Sequence, residues 1–303
     1  MRAAVFSSFG GPEVLEAVSV PAPQAGPGEV RVKVRTAGVQ PIDCAVRSGR
    51  RAPGFAIEFP HITGGEFAGI VDQTGEGVLG VEAGTEVLGF RTQHTYAEYV
   101  VVPADQVVAK PVSMPWDVAG GLSGAGQAAH TAVEVLRVGE NDTFLVNGAA
   151  GGVGTVAVQI ARSLGATVIG TASEANHDYL RELGAIPVTY GEGLVERVRE
   201  LAPHGVDAAL DAASADGLRA AVELVKDIDR VGTITSVEAY EQLGARWIGS
   251  QRSAKRLDAL VSLYVQGTLR IHVRATYPLE QAAEAHRDVE SGHGRGKVVL
   301  TVG

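Results

Sequence analysis

Near the middle of the chain stands the segment Gly148-Ala149-Ala150-Gly151-Gly152-Val153-Gly154, whose composition suits a loop that brings backbone against an anion. An apolar stretch over 143–146 precedes it and reads as a strand; the stretch that follows, to residue 164, reads as a helix. In that setting the mechanics are specific. The turn must be tight, the backbone must come close to a pyrophosphate, and the free N–H groups and dipole of the helix must point at its charge. Gly151 and Gly152 carry no Cβ to block that approach, and Gly154 lets the helix pack close on a sheet. Ala149 stands where the usual G-x-G-x-x-G pattern has its first glycine. A glycine-rich β–α turn also forms without a ligand; the strand and helix signals behind this one favour a dinucleotide.

Other chemistries lack their residues. No G-x-S-x-G elbow offers a serine nucleophile. Cys44 is the single cysteine, which excludes a disulfide framework and a cysteine-rich zinc site and fits a reducing compartment. The eight histidines include no H-x-x-x-H spacing; His61, His94 and His130 lie near motif segments, where a lone histidine is more often a surface or satisfied residue. With a net charge of -9 and no basic run, the chain is not expected to bind nucleic acid. No apolar run is long enough for a signal peptide or a membrane span, so the cytoplasm is the expected location.

The elements that would position the loop divide the chain in two. At 303 residues, with 45% hydrophobic and 20% charged residues, it can bury two cores. The first third reads as short strands: VRVKVR over 30–35 alternates strictly, and 67–71, 86–90 and 96–102 follow between glycine turns. Residues 114–126 read as a glycine-rich crossing that leads into a helix over 127–137. Beyond the loop, strands are expected at 166–171, 187–189, 208–212 and 231–236, with helices at 176–183, 194–201 and 218–226 between them. Such alternation predicts βαβ units and a parallel sheet. The tail reads as a helix over 254–266, a strand over 271–273, a helix over 279–289 and a strand over 297–302.

The segments Phe9-Gly10-Gly11-Pro12-Glu13-Val14-Leu15, Ala37-Gly38-Val39, Pro41-Ile42-Asp43, Tyr96-Ala97-Glu98-Tyr99-Val100, Asn147 to Gly154 and Gly294-Arg295-Gly296-Lys297-Val298-Val299-Leu300 together resemble the medium-chain dehydrogenase/reductase superfamily, in its zinc-free quinone oxidoreductase (zeta-crystallin-like) branch. The resemblance runs almost end to end. It implies an α/β protein: a β-rich GroES-like catalytic domain over 1–116, completed by 264–303, and a Rossmann domain with a doubly wound parallel sheet over 117–263. It also implies NADPH as cofactor, a nicotinamide pocket between the domains, and a homodimer.

The zinc-dependent relatives place a cysteine where this chain has Gln40 and a histidine where it has Gly65, so a metal site is not expected. Asp43 and Glu66 read as structural carboxylates paired within the catalytic domain, although the family position of Asp43 also makes it a candidate catalytic residue with Gln40 and Gln127. The zinc-free branch usually has Asn at position 40 and Thr at position 127, both lining the nicotinamide pocket; the glutamines enlarge both positions and keep a hydrogen-bonding end. Cofactor contacts are expected from Gly148, Ala149, Ala150, Gly151, Gly152, Val153 and Gly154, and from Ser173, Tyr190, Ala212, Ser236, Val237, Arg295 and Lys297. Ser173, rather than an acidic residue, follows Ala172 at the end of the second strand, which suits a 2′-phosphate; Glu174, one residue on, is the adverse feature. His177 or Arg181 would add positive charge. These residues predict an NADPH-dependent reductase of a quinone or an α,β-unsaturated carbonyl. An enoyl-thioester or polyketide-tailoring reductase, and an idle NADPH-binding protein, are the alternatives.

Overall fold

The computed structural model describes residues 1–50, 57–292 and 294–303. In chain order the strands are β1 (Arg2–Phe6), β2 (Glu16–Ser19), β3 (Glu29–Val39), β4 (His61–Ile62), β5 (Glu66–Thr74), β6 (Glu86–Phe90), β7 (Tyr99–Pro103), β8 (Val107–Ala109), β9 (Thr143–Asn147), β10 (Thr167–Ala172), β11 (Ile186–Thr189), β12 (Ala208–Asp211), β13 (Val231–Thr233), β14 (Arg246–Trp247), β15 (Val273–Pro278) and β16 (Lys297–Thr301). The helices are α1 (Pro41–Arg47), α2 (Trp116–Val135), α3 (Gly152–Ser163), α4 (His177–Glu182), α5 (Leu194–Leu201), α6 (Ala215–Leu224), α7 (Val237–Leu243), α8 (Ala254–Val265) and α9 (Ala282–Glu290). Among the described residues no helix is long and apolar enough to cross a membrane.

The chain forms two compact units, one of Met1–Gly124, Arg252–Val265 and Ile271–Gly303, the other of Ala125–Gln251 and Gln266–Arg270. Helix α8 thus groups with the first unit, although residues to 263 were assigned above to the Rossmann domain. In the first unit the alternating run becomes β3, with Val30, Val32 and Val34 buried and Arg31 turned out to pair with Asp72. Its sheet runs β15-β16-β3-β5-β6-β8, with β7 also on β3, and a smaller sheet runs β2-β1-β4. The core between them draws on Phe6, Phe67, Tyr96, Val100 and Leu300.

The second unit is a six-stranded sheet in the order β11-β10-β9-β12-β13-β14, and every pairing in it is parallel. From β9 the chain winds outward to β11, then returns to β12 and winds the other way. The junction of β9 with β12 is therefore a topological switch point, where a crevice opens beyond the strands' carboxyl ends. Leu145, Ile169, Ala209 and Val231 from the strands pack against Leu194, Val198, Leu218 and Leu224 from the helices.

Several elements differ from the sequence expectation. The crossing over 114–126 is mostly helical: α2 begins at Trp116, so Gln127 lies inside a helix instead of opening one. Each interior glycine costs a helix about 1 kcal/mol relative to alanine, which is why the stretch reads as a loop. Packing overrides that cost, because a Cβ on Gly120 would fall on the Thr36 side chain and one on Gly124 on the Gln40 amide. Strand β7 starts at Tyr99, and Tyr96 is held ahead of it by its N–H to the Thr63 carbonyl. Strand β15 is Val273–Pro278 rather than 271–273, and β13 stops at Thr233. Helices α1 and α7 had no counterpart in the sequence reading.

Candidate functional site

The glycine loop leaves β9 at the switch point. Gly148 has φ +74°, a left-handed backbone that a residue with a Cβ rarely adopts, and its N–H donates to Thr171 Oγ1 at 3.1 Å. The loop closes when Gly151 N donates to Gly148 O at 3.0 Å, and α3 then starts at Gly152. A Cβ on Gly154 would collide with Gly148 O and stand 2.6 Å from Ala149 Cα, so only glycine lets α3 begin against the loop. Ala149 is tolerated at the usual glycine position because it is buried inward, over Gly170, where a facing Cβ would come within 2.7 Å of its methyl. Tight turn, bare backbone and helix N-terminus together fit a dinucleotide pyrophosphate.

The remaining cofactor candidates of this unit gather along the same carboxyl edge. Ala172 and Thr189 are paired across β10 and β11, so Ser173 and Tyr190 leave the sheet side by side. Ser173 Oγ accepts from Asn176 Nδ2 at 3.0 Å, which leaves its own proton to donate elsewhere; Tyr190 is exposed. Arg181 is engaged with Asp178 at 2.6 Å, so its charge is partly answered within α4. Ala212 follows β12 with its N–H on Asn147 O, Ser236 Oγ donates to Asp211 Oδ2 at 3.0 Å, and Val237 is exposed at the start of α7. Asp211, to which the sequence reading gave no role, is fully buried among these loops.

In the first unit, Gln40 precedes α1, where Pro41 needs no N–H partner and Asp43 Oδ2 takes the Gln40 N–H at 2.9 Å. Gln40 Nε2 donates to Glu66 Oε1 at 3.2 Å. Glu66 is fully buried; it also receives Lys297 Nζ on Oε1 at 2.8 Å and Gly124 N on Oε2 at 2.6 Å. Asp43 is not paired with Glu66; it accepts instead from Tyr96 OH at 2.9 Å. Arg252 Nη1 donates to the carbonyls of Gly65 and Arg91, fixing the turn beside Gln40. Nothing in the spacing of the sequence marks Tyr96, Arg252 or the Glu66–Lys297 pair as neighbours of Gln40, because each comes from a distant segment. Arg295 is half-buried, close enough to His272 to add to the burial that lowers its imidazole pKa. Gln127 lies in the second unit, wholly buried on α2 three residues beyond Gly124. Among the described residues no three His, Cys, Asp or Glu side chains form a group that could hold a metal ion.

Burial pushes the Asp43 carboxyl up to about 7, against the hydrogen bonds from Tyr96 and Gln40 that favour its charged form. An unfolded aspartate titrates near about 3.9. Between about pH 4 and 7 the folded state therefore holds a proton that the unfolded state lacks. The stability from this group is fully present below that window and is lost as pH rises through it. His286 acts in the opposite sense: burial and then Arg47 hold its imidazole down to about 3, so its contribution is lost as pH falls from about 6.5. Asp43→Asn isolates the first effect. Its stability relative to the parent is expected to improve between pH 4 and 7 by on the order of 4 kcal/mol. Urea unfolding at stepped pH measures this; a pH-independent difference would show that Asp43 does not titrate there.

Comparison with known proteins agrees with this architecture. A family model described as zinc-binding dehydrogenase matches residues 183–300, and one described as alcohol dehydrogenase GroES-like domain matches 26–112. The quinone oxidoreductase of Rattus norvegicus is 30% identical over 99% of this chain and 97% of its own length. The polyketide synthase GfsB of Streptomyces halstedii is 31% identical over 91% of this chain, which spans only 5% of that protein. Among solved structures, an NAD-dependent alcohol dehydrogenase superposes with a TM-score of 0.90 at 32% identity, covering 100% of both chains. A mycobacterial protein described as complexed with NADPH gives 0.88 at 29% identity, covering 99% of this chain and 100% of that one. These relatives support an NAD(P)-dependent oxidoreductase. The chain belongs to the zinc-free quinone oxidoreductase branch of the medium-chain dehydrogenase/reductase superfamily.

Proposed function

We propose that this protein is a zinc-independent reductase that uses NADPH to reduce a quinone or an α,β-unsaturated carbonyl compound. The observation that carries the reading is the glycine loop at the switch point, with a hydroxyl residue, Ser173, at the end of β10 where an NAD site places a carboxylate. When bound, the nicotinamide supplies the hydride. The residues of this chain bind and orient. The backbone of 148–154 and the N-terminus of α3 take the pyrophosphate, and the Ser173 hydroxyl and Tyr190 take the 2′-phosphate side. Gln40, held by Glu66 and Asp43, offers an amide that can donate and accept without carrying charge. The proton that completes reduction is supplied by solvent. As the family implies, two copies are proposed to associate, in the cytoplasm.

Two results follow. First, kcat/KM with NADPH is expected to exceed that with NADH by at least tenfold, about 1.4 kcal/mol, because a carboxylate at the ribose would repel the phosphate and Ser173 does not. Equal values would mean that Glu174 faces the ribose instead. Second, turnover is expected to survive chelation unchanged, with no stoichiometric zinc in the purified protein. Gln40 and Gly65 stand where the zinc-dependent relatives have ligands, although the matching family model is described as zinc-binding. A tightly held zinc whose removal abolishes activity would overturn this.

The similarity to a polyketide synthase favours a second reading, an enoyl-thioester reductase. Stopped-flow oxidation of bound NADPH by a panel of quinones, enones and enoyl thioesters separates the two. Cofactor binding with no oxidation by any acceptor would favour an idle binding protein.

A further inference from the structure

Asp211 is the last residue of β12, wholly buried, and it is surrounded only by donors. Its Oδ1 accepts from the backbone N–H groups of Ala213 at 3.1 Å and Ser214 at 3.0 Å. Its Oδ2 accepts from three hydroxyls: Thr233 at 2.7 Å, Thr235 at 3.1 Å and Ser236 at 3.0 Å. Thr233 Oγ1 in turn accepts from the N–H groups of Thr235 and Ser236, both at 3.1 Å. One carboxylate thus clasps the loop that follows β12 to the loop that follows β13.

The chemistry of that clasp has a direction. A carboxylate only accepts, and a hydroxyl has a single proton to give. Each hydroxyl bound to Asp211 therefore spends its proton there and turns its lone pairs away. Thr235 is exposed and Ser236 half-buried, so these two present acceptor oxygens at the surface of the unit. They do so beside the glycine loop. Asp211 is paired in register with Asn147, the residue before Gly148, and a Cβ on Gly148 would stand 3.0 Å from Ala212 O. The glycine loop occupies the switch point and Ser173 and Tyr190 lie on its β10 side, so the β12–β13 side faces the other half of a dinucleotide. That half carries ribose hydroxyls and a carboxamide N–H, each of which has a proton to donate.

We propose that Asp211 is a positioning residue that fixes the hydroxyls of Thr235 and Ser236 as acceptors, forming a subsite for the donor groups of the nicotinamide half of the cofactor. The subsite rests on the dinucleotide reading above and deepens it.

The test compares binding of NADPH with binding of 2′,5′-ADP, which carries the adenosine half alone, by titration calorimetry, with a melting temperature for every variant. Asp211→Asn keeps the shape but turns a donor toward the three hydroxyls and reverses their protons. It is expected to weaken NADPH about tenfold, the order of one lost hydrogen bond, and to leave 2′,5′-ADP unchanged. The double variant Thr235→Ala/Ser236→Ala keeps Asp211 and is expected to give the same selective loss, so the proposal remains testable if Asp211→Asn fails to fold. Parent-like NADPH binding in the double variant overturns the proposal, as does an equal loss of both ligands in a folded variant. If the parent prefers NADH, the 2′-phosphate reading fails by itself, and the same comparison run with NADH and 5′-AMP decides the subsite. A parent that binds neither dinucleotide overturns both.

Discussion

Lys297→Met is expected to destabilise the first unit by about 3–5 kcal/mol, the cost of leaving a buried charge without its partner. Glu66 has no exposed surface and Lys297 almost none, and their 2.8 Å contact is closed to water. Methionine keeps the apolar stem of the lysine and removes only the ammonium, so cavity effects stay small. Glu66 would retain the Gly124 N–H and the Gln40 amide, two neutral donors in place of a cation. The double variant Glu66→Gln/Lys297→Met removes both charges and is expected to recover most of the loss, since replacing both members of a buried pair is often close to neutral. Urea unfolding of the parent, both single variants and the double variant measures the coupling. A loss below about 1 kcal/mol for Lys297→Met, typical of an exposed pair, would show that water reaches the site. Because the ammonium is bound to Glu66 and near Val39 O, the loss is expected in stability before it is seen in cofactor affinity.

The parts of this molecule that follow local rules were legible in the sequence. Strand β3 was legible because its valines alternate with charges, and the β9–loop–α3 unit because an apolar run, a cluster of glycines and a helical run follow one another directly. Helix α2 was not, because its glycines report on what it packs against, Thr36 and Gln40, and not on its own preference. The same holds for the candidate site. Gln40 and Gln127 were proposed by position, but the carboxylate that orients Gln40, the lysine that answers it and the tyrosine on Asp43 come from β5, β16 and the segment before β7. Long-range contacts of that kind leave no spacing to read. The end of β13 is a third case: the sequence continues it to 236, but the N–H groups of Thr235 and Ser236 turn back to Thr233 Oγ1 instead of joining a ladder, while their hydroxyls bind Asp211.

Gln40→Ala is expected to slow quinone reduction by up to ~10²–10³-fold if its amide stabilises charge that develops on the acceptor oxygen. Gln127→Ala is expected to act mainly on stability. The resemblance makes both glutamines candidates for the nicotinamide pocket, yet their surroundings differ. Gln40 is half-buried at the start of α1, with Nε2 on the acceptor-only Glu66, so Oε1 and the second amide hydrogen turn away from the carboxylate. The amide occupies the space that a Cβ on Gly124 would need. Its geometry is therefore set before any ligand arrives, the condition under which a single donor has a large kinetic effect. Gln127 is completely enclosed on α2, where truncation removes packing and leaves a cavity. Single-turnover reduction of a simple quinone at saturating NADPH, with NADPH affinity measured separately, distinguishes the roles. A KM rise at constant kcat would assign Gln40 to ground-state orientation. Gln40→Asn, which restores the amide usual in the branch on a shorter stem, is expected to recover part of the lost rate, whereas a purely structural role would follow melting temperature and not the amide. If Gln40→Ala binds NADPH and reduces the quinone at the parent rate, the amide has no part in the reaction.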